Sequence, residues 1–123
     1  NSLNENIDIG QIEGGFIQGL GWLTCEELYF SQEGKLLTTG PSTYKLPGSR
    51  DVPPIFNVKL LENADNDEKT IFRSKAVGEP PLLLAISHFL ALKEAIKASL
   101  PSSKAELLNS PATPSEILKA IYA

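Results

Sequence analysis

The stretch IGQIEGGFIQGLGWL, residues 9 to 23, has the apolar spacing of a helix and carries a single charged residue, Glu13. Its large apolar residues recur at intervals of three and four and so share one face; they are Ile9, Ile12, Phe16, Leu20 and Leu23. At about 100° per residue, the opposite face carries Gln11, Gly14, Gly15, Gln18 and Trp22. No charged residue lies between Glu13 and Glu26. We therefore predict a helix from about Ile9 that is buried on both faces.

Glycines are unusually dense in this helix, at positions 10, 14, 15, 19 and 21. Each internal glycine costs a helix about 1 kcal/mol relative to alanine. Either very close backbone packing or the close approach of a ligand would offset that cost. The pattern alone leaves both alternatives open, together with a third, in which the first glycines belong to a loop and the helix begins later.

A second helix is predicted from the sequence PPLLLAISHFLALKEAIKASL, residues 80 to 100. Pro80 and Pro81 lack N–H groups and have a preset φ, which suits the first turn of a helix. Charged residues occur only in its second half, so we expect its start to be buried and its end to be solvated. Leu100-Pro101 is expected to end it.

The remaining pattern predicts strands and a short last helix. Residues 27–30 and 35–39 flank the turn-like tetrapeptide 31–34 and predict a hairpin, and residues 55–61 alternate as a strand does. Near the end, Thr113, Pro114 and Glu116 form a capping-box pattern, which predicts a helix over residues 114–122. The predicted fold is α+β: a single compact domain with two buried helices, a small antiparallel sheet and a short C-terminal helix.

Composition excludes several classes of function. A hydrophobic content of 41% and a charged content of 21% are typical of a globular domain, and no apolar run approaches the roughly 20 residues that cross a bilayer. The net charge of −4, with scattered Lys and Arg, argues against a nucleic-acid partner. One cysteine, Cys25, and one histidine, His88, exclude internal disulfides and thiolate zinc sites. The lone thiol favours a cytoplasmic location. Because methionine is absent and the chain starts at Asn1, we expect a fragment of a larger protein.

Glu79 is the candidate catalytic residue. It precedes two prolines and an apolar run. The helix start would lower the pKa of its carboxyl, whereas burial would raise it. A carboxylate under such opposing influences is a plausible general base, and an acid that only caps the helix is the alternative.

Three segments together resemble a known family. DIGQIEGGFIQGLG, GPSTYKLP and SKAVGEPPLLLA, in this order and spacing, resemble the C-terminal end of the molybdenum-binding part of the xanthine dehydrogenase family. The resemblance extends over nearly the whole chain, including the closing SPATPSEI. Residues 1–123 would then be the C-terminal part of a molybdopterin-binding domain.

The resemblance implies a molybdopterin cofactor with molybdenum, and a glutamate beside the metal that acts as the base in purine hydroxylation. In the motif Gly-Glu-Pro-Pro that glutamate corresponds to Glu79. The resemblance also implies cofactor contacts for Gln11, and for Gly78, whose backbone would approach the metal centre. No residue of this chain is expected to ligate the metal.

The implied reaction is the oxidation of hypoxanthine and xanthine to urate in purine catabolism. Electrons would leave through 2Fe–2S clusters and FAD, in another subunit or domain, to NAD. The remainder of the molybdenum-binding subunit is the main expected partner, and the isolated fragment, inactive by itself, could also self-associate. Two alternatives are an aldehyde oxidase-like hydroxylase, which the paired prolines disfavour, and a catalytically silent interaction domain of the same fold.

Overall fold

The computed structural model describes residues 2–64, 66–75, 78–100 and 103–123. Within these ranges there are three α-helices: α1 (Glu5–Thr24), α2 (Ile86–Ser99) and α3 (Pro114–Tyr122). Short 3-10 segments lie at Ile71–Arg73, Pro80–Ala85 and Ala105–Leu107. The chain is therefore helical, with long irregular connections.

Helix α1 begins four residues earlier than the apolar pattern predicts. Asn4 is its N-cap, and the Asn4 side-chain oxygen accepts a hydrogen bond of 3.2 Å from the Ile7 N–H. An Asn at this position satisfies one of the free N–H groups of the first turn, which explains the early start. All five glycines lie inside the helix, so the alternative of a glycine-containing loop is wrong.

Burial of the two main helices is less complete than expected. In α1 only Gly19, Leu20 and Gly21 are buried, and the side chain of Trp22 is 52% exposed. In α2 only Ile96 is buried. The reason is that, among the residues described, Gln11, Gly14, Gln18 and Trp22 on the uncharged face of α1 are all exposed. The lack of charge permits burial of this face but does not supply a partner for it.

The predicted α+β class, with its small antiparallel sheet, is wrong, because the described elements are helical. Between residues 27 and 39 the chain does turn back on itself, with Gly34 at φ 79° and a backbone hydrogen bond of 2.8 Å from Leu37 N–H to the Tyr29 carbonyl. The only ladder element among the described residues is one isolated bridge between Phe30 and Leu36. A two-stranded hairpin is marginal without further strands, and no third strand lies beside it in the described ranges.

The predicted second helix begins as a 3-10 turn. Pro80–Ala85, called the proline segment, is followed directly by α2, which ends at Ser99 with Leu100 extended. Pro101, predicted to stop this helix, lies outside the described residues. Ala85 is fully buried and faces α1, so the proline segment is the part of the chain that packs most closely on α1.

The C-terminal helix agrees with its prediction. Thr113 caps α3 through a 3.4 Å hydrogen bond from the Glu116 N–H to the Thr113 hydroxyl, and Pro114 is its first residue. Behind α3 lies the main buried cluster, which contains Ile96, Ala105, Leu108, Ala112 and Ala120. The Ala112 N–H donates a 2.7 Å hydrogen bond to the Leu23 carbonyl and so joins this cluster to the end of α1.

The chain exposes more surface than its size predicts. Its accessible area is 9517 Å², whereas a folded monomer of 13.3 kDa is expected to expose about 6,500 Å². Many large apolar side chains contribute to the excess, including Phe72 at 91% and Ile71 at 80% exposed. Of the helices described, none has the length and apolar character needed to cross a membrane.

Candidate functional site

A cleft of about 220 Å³ lies between α1 and the residues that precede the proline segment. It is lined by Gly10, Gln11, Gly14, Gly15, Gln18, Gly78 and Glu79. We call it the Gln11–Glu79 cleft. Its two walls are more than sixty residues apart in sequence, and the fold brings all three predicted site residues, Gln11, Gly78 and Glu79, to one place.

Helical periodicity builds the first wall of the cleft. Gln11, Gly14 and Gln18 are separated by three and four residues, so they lie one above another on the same side of α1. Both glutamines are exposed, and no hydrogen bond between described residues involves either side chain. Each amide therefore has donors and an acceptor available to a bound group.

Two glycines of α1 allow the proline segment to lie close to the helix. A Cβ atom at Gly15 would lie 3.1 Å from the Pro81 Cβ, and one at Gly19 would overlap the carbonyl oxygen of Leu82. Because a side chain at either position would push the proline segment outward, glycine permits the close approach of the two backbones. The cost of these glycines in a helix is thus offset by packing.

The other glycines of the cleft have no such packing reason. A Cβ atom at Gly10, Gly14 or Gly78 would meet nothing within 4 Å. Close packing is therefore the explanation at Gly15 and Gly19, whereas Gly10 and Gly14 leave free space at the surface of the cleft, and the approach of a ligand there stays a prediction.

Glu79 forms the second wall and is exposed to solvent. It precedes the proline segment, but its carboxylate makes no capping hydrogen bond there; its backbone carbonyl accepts one of 2.8 Å from the Leu82 N–H. The capping alternative is therefore wrong for this side chain. The expected shielding is also absent within the described ranges, because Leu83 and Leu84 are 64% and 57% exposed.

The described part of the chain contains no group of three His, Cys, Asp or Glu side chains that could hold a metal ion. His88 lies half-buried in α2 and does not line the cleft. A metal ion at this cleft would thus need to be held by a cofactor or by ligands outside the described residues.

Sequence reasoning missed two functional features. Gln18 lines the cleft, and its spacing of seven residues from Gln11 was the signal that could have identified it.

The second feature is a buried acid: Glu26 is 9% exposed and accepts a 2.7 Å hydrogen bond from the Tyr44 hydroxyl. This hydrogen bond, together with burial, raises the pKa of the Tyr44 phenol. The pair attaches the loop containing Tyr44 to the C-terminal end of α1.

Comparison with known families identifies the class of domain that the first part of the chain resembles. Residues 1–53, which include α1 and its wall of the cleft, match the family model of the molybdopterin cofactor-binding domain. The remainder of the cleft, with Gly78 and Glu79, lies outside that match.

Individual relatives extend the similarity over almost the whole chain. It is 54% identical to a xanthine dehydrogenase/oxidase of Felis catus and 52% identical to one of Gallus gallus, each over 97% of this chain and 9% of the relative. It is 50% identical to xanthine dehydrogenase 2 of Arabidopsis thaliana, over 98% of this chain and 10% of the relative. The chain belongs to the xanthine dehydrogenase family and spans about a tenth of the length of these relatives.

Proposed function

We propose that residues 1–123 are the C-terminal part of the molybdopterin-binding domain of a larger molybdenum hydroxylase, which oxidises hypoxanthine and xanthine to urate. In this proposal Glu79 is the catalytic base, and Gln11 and Gly78 contact the cofactor. The observation that carries it is the Gln11–Glu79 cleft, where the family's expected base and cofactor contacts line one cavity.

The residues of the cleft fit part of such a cofactor. Gly10, Gly14 and Gly78 leave free space where side chains would otherwise project. Gln11 and Gln18 offer amide donors and acceptors, which suit the polar edges of a pterin. At about 220 Å³ the cleft is smaller than a typical ligand site of 300–1,000 Å³. We infer that this chain forms one wall of the site and that the remainder of the molybdenum-binding subunit forms the others.

Within the larger protein, Glu79 would accept a proton at a carboxylate oxygen during hydroxylation of the purine. The cofactor, when bound, supplies a redox-active metal that takes up the electrons of the substrate. The Glu79 carboxylate is exposed here, and a base in the assembled site would need a cover of apolar groups that excludes water from it. The exposed Leu83 and Leu84 would contribute to that cover once other parts of the subunit pack on them.

The same proposal assigns the partners. Electrons would leave through 2Fe–2S clusters and FAD in another domain or subunit, with NAD as the acceptor, and the enzyme would act in the cytoplasm in purine catabolism. The paired prolines after Glu79 favour a purine substrate over an aldehyde.

The test is Glu79→Gln in the full-length enzyme. Loss of the base should lower kcat for xanthine by at least about 100-fold while molybdenum content stays at the wild-type value. Glu68→Gln is the matched control, because Glu68 is an exposed acid outside the cleft; it should leave both quantities unchanged.

Near-normal turnover of the Glu79→Gln enzyme would overturn the role of Glu79. A wild-type protein that purifies with molybdenum and turns over aldehydes but not purines would favour the aldehyde oxidase-like alternative. A full-length protein without molybdenum would indicate the silent interaction domain.

A further inference from the structure

Residues 55–61 have the side-chain pattern of a strand but no neighbouring strand within the described ranges. Burial alternates at every position: Phe56, Val58 and Leu60 are half-buried, whereas Ile55, Asn57, Lys59 and Leu61 are exposed. The inward side rests on α1, where the rings of Phe56 and Phe16 lie 5.3 Å apart at 46°. One face of the segment is thus fixed in place.

The backbone of this segment has no hydrogen-bond partner among the residues that the structure describes. Within the described ranges, no hydrogen bond joins an N–H or carbonyl of residues 55–61 to another residue. An extended chain presents its N–H and carbonyl groups along its two edges, as an edge strand does. Such an edge binds another extended segment through main-chain hydrogen bonds, and alternate side chains provide the specificity.

The outer face of the segment is exposed. Ile55 is 80% and Leu61 is 85% exposed, and both belong to a chain that exposes about 3,000 Å² more than the surface expected for its mass. Large apolar side chains that are exposed together in this way indicate a contact with another part of a protein. Backbone and side chains therefore indicate the same contact.

We propose that residues 55–61 are a docking edge for an extended segment of the same polypeptide that lies outside residues 1–123. This inference rests on the proposed function, in which the chain is part of a larger subunit; its relatives are about ten times as long. A segment of the same polypeptide is tethered and has a far higher effective concentration than a second copy. The sheet expected within the chain is not restored by this contact, because the partner backbone is not part of the chain.

Hydrogen–deuterium exchange on the full-length protein tests the docking edge without any substitution. Alternate amides of residues 55–61, those on the edge that pairs, should exchange at least about 100-fold more slowly than unstructured amides, since opening would require the partner segment to separate. If every amide of residues 55–61 exchanged within about tenfold of the unstructured rate, the proposal would be overturned.

A photoreactive cross-linker in place of Lys59, which is exposed beside the edge, identifies the occupant. We expect a cross-link to a segment of the same polypeptide outside residues 1–123. A cross-link between two copies, or one within residues 1–123, would overturn the assignment.

The two proposals fail in different ways. Slow exchange at residues 55–61 in a protein without molybdenum would overturn the proposed function alone. Rapid exchange in an active molybdenum enzyme would overturn the docking edge alone.

Discussion

The carbonyl oxygen of Leu82 lies directly against the Cα of Gly19, so that a Cβ atom at position 19 would overlap it and would lie 2.9 Å from the Cβ of Ala85. This contact fixes the distance between α1 and the proline segment. Since Gln11 projects from α1 and Glu79 precedes the proline segment, the same contact determines the width of the Gln11–Glu79 cleft.

Gly19→Ala is therefore expected to destabilise the full-length protein by about 1–3 kcal/mol, the usual cost of overpacking a close contact. The measurement is chemical denaturation of cofactor-free protein followed by fluorescence, so that differences in cofactor content do not contribute. Gly14→Ala is the matched control on the same helix, because its Cβ would meet nothing within 4 Å. The control should be neutral or more stable, by up to about 1 kcal/mol from helix propensity. Equal destabilisation by both variants would contradict the contact.

The same Gly14→Ala variant gives a second prediction, on cofactor content. If the cofactor approaches the backbone at this wall, the added methyl group enters its space, and molybdenum per protein should fall by at least about tenfold, equivalent to about 1.4 kcal/mol of binding. Elemental analysis of the purified full-length protein measures it. A stable variant with wild-type molybdenum content would show that free space at Gly14 has no role in binding.

Tyr44→Phe should destabilise the protein through Glu26. Removal of the phenol hydroxyl leaves a buried carboxylate without its hydrogen-bond donor, and the unfolding equilibrium constant should rise by about tenfold. Tyr29→Phe is the control, since the Tyr29 ring is 60% exposed and its hydroxyl makes no hydrogen bond to a described residue. Equal stability of the two variants would show that the Glu26–Tyr44 hydrogen bond contributes nothing.

The same hydrogen bond predicts a dependence on alkaline pH. Its acceptor, Glu26, raises the pKa of Tyr44 in the folded state. Because the pKa of Tyr44 is higher in the folded state than in the unfolded state, the group contributes its full stabilisation below the unfolded pKa of about 10. This stabilisation is lost as the pH rises through the folded pKa. The stability difference between wild type and Tyr44→Phe should therefore shrink above about pH 10. A difference that stays constant to about pH 12 would contradict the assigned cause.

Local signals in the sequence predicted the helices well. Thr113, Pro114 and Glu116 lie within one turn of each other, so their capping geometry depends on no distant contact. The earlier start of α1 was missed because Asn4 lies in a polar segment without apolar periodicity.

The sheet was predicted wrongly because alternation reports which side chains face inward and does not report whether a neighbouring strand exists. Residues 55–61 alternate in burial as predicted, yet their backbone has no partner among the described residues. Pairing is a long-range property, and residues within the segment do not determine it.

The candidate site was identified by resemblance and not by periodicity. The sequence pattern alone did not decide whether Glu79 caps a helix or acts as a base. It also did not predict that Glu79 lies near Gln11. The fold brings the two into one cleft. The catalytic role of Glu79 and the cofactor contacts of Gln11 and Gly78 stay predictions.

The contact at Gly19 also limits which compensating mutations can arise. The atom that opposes position 19 belongs to the main chain of Leu82, so no exchange of the side chain at 82 can relieve a clash there. A genetic selection for revertants of a Gly19 substitution should consequently recover glycine itself far more often than second-site suppressors.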